Sequence, residues 1–145
     1  MAEYCLTGNW RSAASVTRCT ALRYAYPMEA ADSLEQLRAE LARFAAERDW
    51  DQFHNPKNLA MALVVEAGEL VEHFQWLSPD EAVALPSGKK TEVAMELADV
   101  LMYLLRLADK LDVDLIEAAS EKLQQNRQKY PVEKARGRAT KYDQL

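Results

Sequence analysis

Two acidic pairs, Glu66-Ala67-Gly68-Glu69 and Glu96-Leu97-Ala98-Asp99, are separated by 26 residues. On a helix, residues three apart project about 60° from one another, so each pair shares a face. Pairs of this kind usually belong to a solvated surface. Their setting here argues for something else. Leu63, Val64, Leu70 and Phe74 flank the first pair, and Val93, Val100, Leu101 and Leu104 the second. Helices this apolar are not exposed all round, and carboxylates turned inward repel one another and lose hydration unless protons or cations compensate. Oxygen donors without cysteine select magnesium, with manganese as the substitute. Because magnesium keeps waters and binds phosphate, each pair reads as half of a metal site suited to water attack on a polyphosphate.

The chain that must position these acids has 145 residues, enough for one core and too few for two full domains. Few glycines and prolines and an abundance of Ala, Leu, Glu, Lys, Arg and Gln predict an all-α fold. A net charge of -5 argues against a nucleic acid polymer or an anionic membrane as partner. No apolar run approaches the ~20 residues of a membrane span. Cys5 and Cys19 match no metal or redox spacing and read as free thiols, so a cytoplasmic protein is expected.

Residues 1–31 lack helical periodicity and are expected to form a poorly ordered extension. A domain over residues 32–131 follows. Asp32-Ser33-Leu34-Glu35 starts a first helix, with Leu34, Leu37, Leu41, Phe44 and Ala45 as its apolar stripe to about Arg48. Asp49 to His54 breaks the pattern, and Asn55-Pro56 caps a second helix to about Leu77. Ser78-Pro79-Asp80-Glu81 opens a short connector to Leu85, and Pro86-Ser87-Gly88 interrupts the chain. A third helix runs from Lys89 to about Leu111. Asp112 or Asp114 caps a fourth, with Leu115, Ala118, Ala119 and Leu123 facing inward and an end before Pro131. Residues 132–145 form a basic tail. The expectation is a four-helix bundle with a short connector helix.

Around the acids stand Glu47-Arg48-Asp49-Trp50, Phe53-His54-x-Pro56-x-Asn58-Leu59, Phe74-Gln75-Trp76, Asp99-Val100-Leu101-x-Tyr103-Leu104 and Asn126-Arg127-x-x-Tyr130-Pro131. Together with the two acidic pairs these resemble the MazG-like, all-α nucleoside triphosphate pyrophosphohydrolases, specifically their dCTP pyrophosphatase branch, over roughly Ser33 to Tyr142. The resemblance implies cleavage between the α and β phosphates of a deoxynucleoside triphosphate, giving monophosphate and pyrophosphate. It assigns the metal to Glu66, Glu69, Glu96 and Asp99, with Glu66 as the candidate for positioning or deprotonating the attacking water. It places Trp50, His54, Trp76 and Tyr103 in the nucleotide pocket and Asn126, Arg127, Tyr130, Lys141 and Tyr142 at the triphosphate, with Phe53 and Asn58 as further substrate-binding candidates. It also implies a homotetramer built as a dimer of dimers.

Taken as plain residues, Trp50, Phe53 and Trp76 are equally core or interface aromatics. His54 is as well suited to packing its loop as to touching a base, and Lys57, Arg127, Lys129 and Lys141 double as surface charges. His73 follows Glu69 by four residues but lies in no Glu-x-x-His pair, which disfavours a di-iron bundle and leaves it a packing or hydrogen-bonding role. Leu41 stands where animal dCTP pyrophosphatases present a histidine near the substrate, which widens the expected substrates to modified or related deoxynucleotides. The rival from another class is a non-enzymatic helical interaction module with solvated acidic pairs.

Overall fold

The computed structural model describes residues 33–144; the expected extension lies outside them. Helix α1 covers Leu34–Ala46, and its N-cap Ser33 accepts from the amide of Gln36 at 3.1 Å. A 3-10 turn at Trp50–Gln52 then replaces regular helix. It is entered through Asp49, which takes a left-handed backbone at φ 53°. That conformation stops α1 and redirects the chain.

Helix α2 covers Pro56–Glu72, with Asn55 accepting from the amide of Asn58 and proline in the first turn. It ends about a turn before the expected Leu77, because Phe74 and Leu77 bond three residues back, to Val71 and Phe74, and tighten the chain into turns. Ser78 and Glu81 form a reciprocal capping box at the start of α3, Pro79–Val83. The expected break at Pro86-Ser87-Gly88 is corrected. Pro86 is the N-cap and Ser87 and Gly88 form the first turn of α4, Ser87–Lys110. Proline fits there because the first turn has no helical acceptor for its missing N–H.

Of the two candidate caps after α4, Asp114 does the capping, accepting from Ile116 and Glu117, while Asp112 makes the left-handed turn at φ 53°. Helix α5 covers Leu115–Lys129. The tail is more ordered than its sequence pattern implies, with α6 at Val132–Ala135 and a 3-10 turn at Tyr142–Gln144. The described residues contain no strand.

Helices α1, α2 and α4 pack together, burying Ala45, Leu59, Val93, Leu105 and Ala108. The expected inward face of α5 is not buried: Leu115 is half-covered, while Ala118, Ala119 and Leu123 are exposed. Within one chain, then, α5 forms without closing a four-helix bundle. Its larger apolar side chains, Ile116 and Leu123, stay exposed and meet no core within the chain.

Candidate metal centre

α2 and α4 lie against each other and bring their acids together. Glu66, Glu96 and Asp99, all half-buried, each place a carboxylate oxygen within 4.8 Å of the others. Burial pushes the Glu66 carboxyl above its ordinary range, and the charges of Glu69, Asp99 and Glu96 push it further. A cluster that resists its own ionisation fits a hard cation, whose charge would remove the repulsion.

Glu69, the fourth expected ligand, is exposed and does not converge with the other three. At about 100° per residue it lies some 60° round α2 from Glu66, turned away from the packed face. It reaches the site through its charge on Glu66. His73 stands at 3.9 Å from both Glu92 and Glu96, too far for a hydrogen bond but close enough for a charge contact when protonated. Tyr103 follows Asp99 by one turn. Burial raises its phenol pKa, and the charges of Glu66 and Asp99 add to the rise, so its hydroxyl stays protonated beside the cluster.

The nucleotide-pocket candidates divide by location. Trp50 is half-buried between Phe44, edge-on at 5.7 Å, and the His54 ring at 6.1 Å. His54 Nδ1 is buried with no hydrogen-bond partner, and burial, then the charge of Arg106, lowers the imidazole pKa and favours its neutral form. Asn58 donates to the Phe53 carbonyl at 3.0 Å, fixing the loop between the 3-10 turn and α2, while the Phe53 ring is exposed. Trp76, past the end of α2, is 87 % exposed and makes no ring contact among the described residues.

Asn126, Arg127, Tyr130 and Lys141 gather at the far end of α5. Tyr130 packs edge-on against Tyr142 at 6.0 Å, and Lys129 lies 5.0 Å from the same ring. Lys141 pairs with Asp143 at 3.2 Å. No hydrogen bond, ion pair or ring contact links this cluster to Glu66, Glu96 or Asp99 among the described residues. The structure therefore joins three metal-ligand candidates with Tyr103, holds Trp50 and His54 in one wall, and leaves Trp76 and the tail cluster apart.

One buried charge escaped sequence reasoning. Arg106 is 4 % exposed and donates to Asp51 at 2.9 Å and Asp109 at 2.7 Å. It falls in the apolar run of α4, and its partner Asp51 is 55 residues away. Only the burial of its i-3 and i-7 neighbours, Tyr103 and Asp99, would have signalled that it too faces inward.

A model of the MazG-like family matches residues 61–145, which include all four expected ligands. The chain is 50% identical over 115 residues to dCTP pyrophosphatase 1 of Mus musculus, spanning 78% of this chain and 68% of that protein. It is 46% identical to dCTP pyrophosphatase 1 of Homo sapiens over 115 residues, with the same coverage. Among solved structures, a pyrophosphatase from Archaeoglobus fulgidus superposes with a TM-score of 0.65 at 43% identity, over 68% of this chain and 92% of that one. The motifs around the acidic pairs thus carried the resemblance correctly, and the chain belongs to the MazG-like family.

Proposed function

We propose that this chain is a nucleoside triphosphate pyrophosphatase that adds water across the α-β phosphoanhydride bond, releasing nucleoside monophosphate and pyrophosphate. The observation that carries the reading is the convergence of Glu66, Glu96 and Asp99 on one point beside Tyr103. Solvated acidic pairs, as an interaction module would have, do not describe three half-buried carboxylates. Relatives named dCTP pyrophosphatase 1 support dCTP as substrate, and Leu41, half-buried on α1, supports a range that extends to modified or related deoxynucleotides.

Magnesium would be held by Glu66, Glu96 and Asp99, with Glu69 joining as its side chain turns inward. When bound, the cation supplies positive charge that offsets the carboxylates and the polyphosphate and polarises a phosphoryl oxygen. The remaining work falls to the chain. Glu66, one of the three converging carboxylates, positions water and accepts its proton. The Tyr103 hydroxyl, which stays protonated near the cluster, is available to donate a hydrogen bond to substrate. Trp50 offers a face to the base, and the neutral His54 ring, with Nδ1 buried, offers its Nε2 edge. Lys57, Arg127 and Lys141 supply cations for the leaving pyrophosphate.

The chain acts as a homotetramer of two dimers. Met61, Val64, Val65 and Val71 form an exposed apolar stripe on the side of α2 away from the core. Gly68 lies in that stripe, and among the described residues no atom beyond its chain neighbours and own helix backbone comes within 4 Å of where its Cβ would be. A mid-helix glycine costs up to ~1 kcal/mol relative to alanine, so the open space is best explained by close approach of another helix. Association would also cover α5 and bring Trp76 and the tail cluster to a neighbour's metal site.

The test is pyrophosphate release with magnesium across the common and modified nucleoside triphosphates. Activity on deoxynucleotides that is lost in Glu96→Ala supports the reading. A folded protein inactive on all of them overturns it.

A further inference from the structure

Arg106 is the one buried polar or charged residue among the described residues, and pyrophosphate release as described gives it no role. Its two terminal nitrogens go to different carboxylates: Nη1 donates to Asp109 on its own helix, and Nη2 to Asp51 in the 3-10 turn. Asp109 is gripped in turn by Arg38 of α1, and Asp51 also accepts from Lys110 at 2.6 Å. Three segments, α1, the turn and α4, are thereby tied at one point.

The turn needs such a tie. Its local support is two backbone bonds to the Trp50 carbonyl, from Phe53 and His54, with the Gln52 amide donating to the Asp49 carbonyl and carboxylate and Asn58 to the Phe53 carbonyl, and a single turn of this kind is not stable on local bonds alone. Apolar contacts alone would let it slide, because they are not directional. A buried guanidinium shared between two carboxylates fixes position as well as energy. The turn carries Trp50 and leads directly into His54. On α4, Asp99, Tyr103 and Arg106 follow at i, i+4 and i+7, so the tie sits about 10 Å along the helix from Asp99. That separation is comparable with the length of a nucleoside.

We propose that the Arg106–Asp51 ion pair is a positioning latch that sets the Trp50–His54 wall against the metal centre and so governs which base is accepted, without touching the reacting phosphates. The inference rests on the proposed pyrophosphatase reading. Two further observations belong to it. Arg106 Nε and His54 Nδ1 are both buried without partners, and the Arg106 charge contributes to holding His54 neutral. A displaced latch would therefore change both the place of the imidazole and its hydrogen-bonding character.

The test compares steady-state pyrophosphate release by the full chain on each of the four deoxynucleoside triphosphates, with magnesium. Asp51 is half-exposed, so Asp51→Asn keeps the fold, checked by helical circular dichroism. Expected is a KM for the preferred nucleotide raised about tenfold, kcat held within about threefold, and a preference among bases flattened by a similar factor. Asp51→Glu, which keeps the carboxylate, restores most of the preference. Lys110→Met, which leaves Arg106 in place, shifts KM in the same direction by less. A lowered melting temperature with unchanged base preference in Asp51→Asn overturns the latch, as does an equal loss of kcat on every nucleotide. Wild-type chain that releases no pyrophosphate from any nucleotide overturns the function reading and the latch with it; active wild type with an indifferent Asp51→Asn overturns the latch alone.

Discussion

The acid cluster and the C-terminal tyrosine cluster carry residues expected to meet the same substrate, yet they are built in different ways. Glu66, Glu96 and Asp99 come from two long helices packed face to face, and their convergence is complete in a single chain. Tyr130, Tyr142, Lys129 and Lys141 pack on one another at the end of a helix that buries no residue. The first arrangement needs helical periodicity and one helix pair. The second makes no contact with the acids among the described residues, so under the proposed function its share in holding substrate would depend on a neighbouring chain.

The sharpest way to break this contrast is at the ligands. Asp99→Asn keeps size and removes charge; pyrophosphate release should fall at least about 100-fold with the fold intact, since a metal supplies several kcal/mol of transition-state stabilisation. The next largest effect should come from the α2 stripe. Val64 is 70 % exposed in the single chain, so Val64→Glu leaves the monomer's core untouched. It should nonetheless dissociate the assembly in light scattering and reduce activity about tenfold at micromolar protein, because a charge is unwelcome in an apolar contact. Unchanged mass and activity would place the stripe outside the interface.

Trp76→Ala separates binding from stability. The exposed side chain should contribute under about 0.5 kcal/mol to the stability of the isolated chain, while KM rises severalfold. The smallest effect is on pH. Because the folded Glu66 carboxyl titrates above its ordinary 4.5, its stabilising contribution is present below that value and is lost as pH rises through the raised one. Metal-free wild type should therefore lose stability over that window in a melting series, and Glu66→Gln or saturating magnesium should flatten the slope.

The helices and their caps were legible because they depend on local chemistry: Ser33, Asn55, Ser78 and Asp114 each stand where a side-chain oxygen meets free amides. The acidic pairs were legible for the same reason, as spacing on a helix needs no knowledge of the fold. Glu69 shows the limit. Sequence spacing places it on the face of Glu66, but 60° of rotation separates a converging carboxylate from one at the rim. Arg106 and Asp51 were illegible because their meaning comes from packing across 55 residues, and α5 misled because an apolar stripe does not say whether the helix meets the core.

The uneven burial of the molecule also sets a gradient of amide exchange. Backbone hydrogens of α2 and α4 near Leu59, Val93 and Leu105 lie beneath the packed core and exchange only when it opens. Those of α5, which has no buried residue, exchange through local unravelling that leaves the acid cluster in place. Protection of α5 against deuterium therefore reports on whatever covers it. The acid cluster can stay converged while the helix that bears Asn126 and Arg127 is still opening and closing.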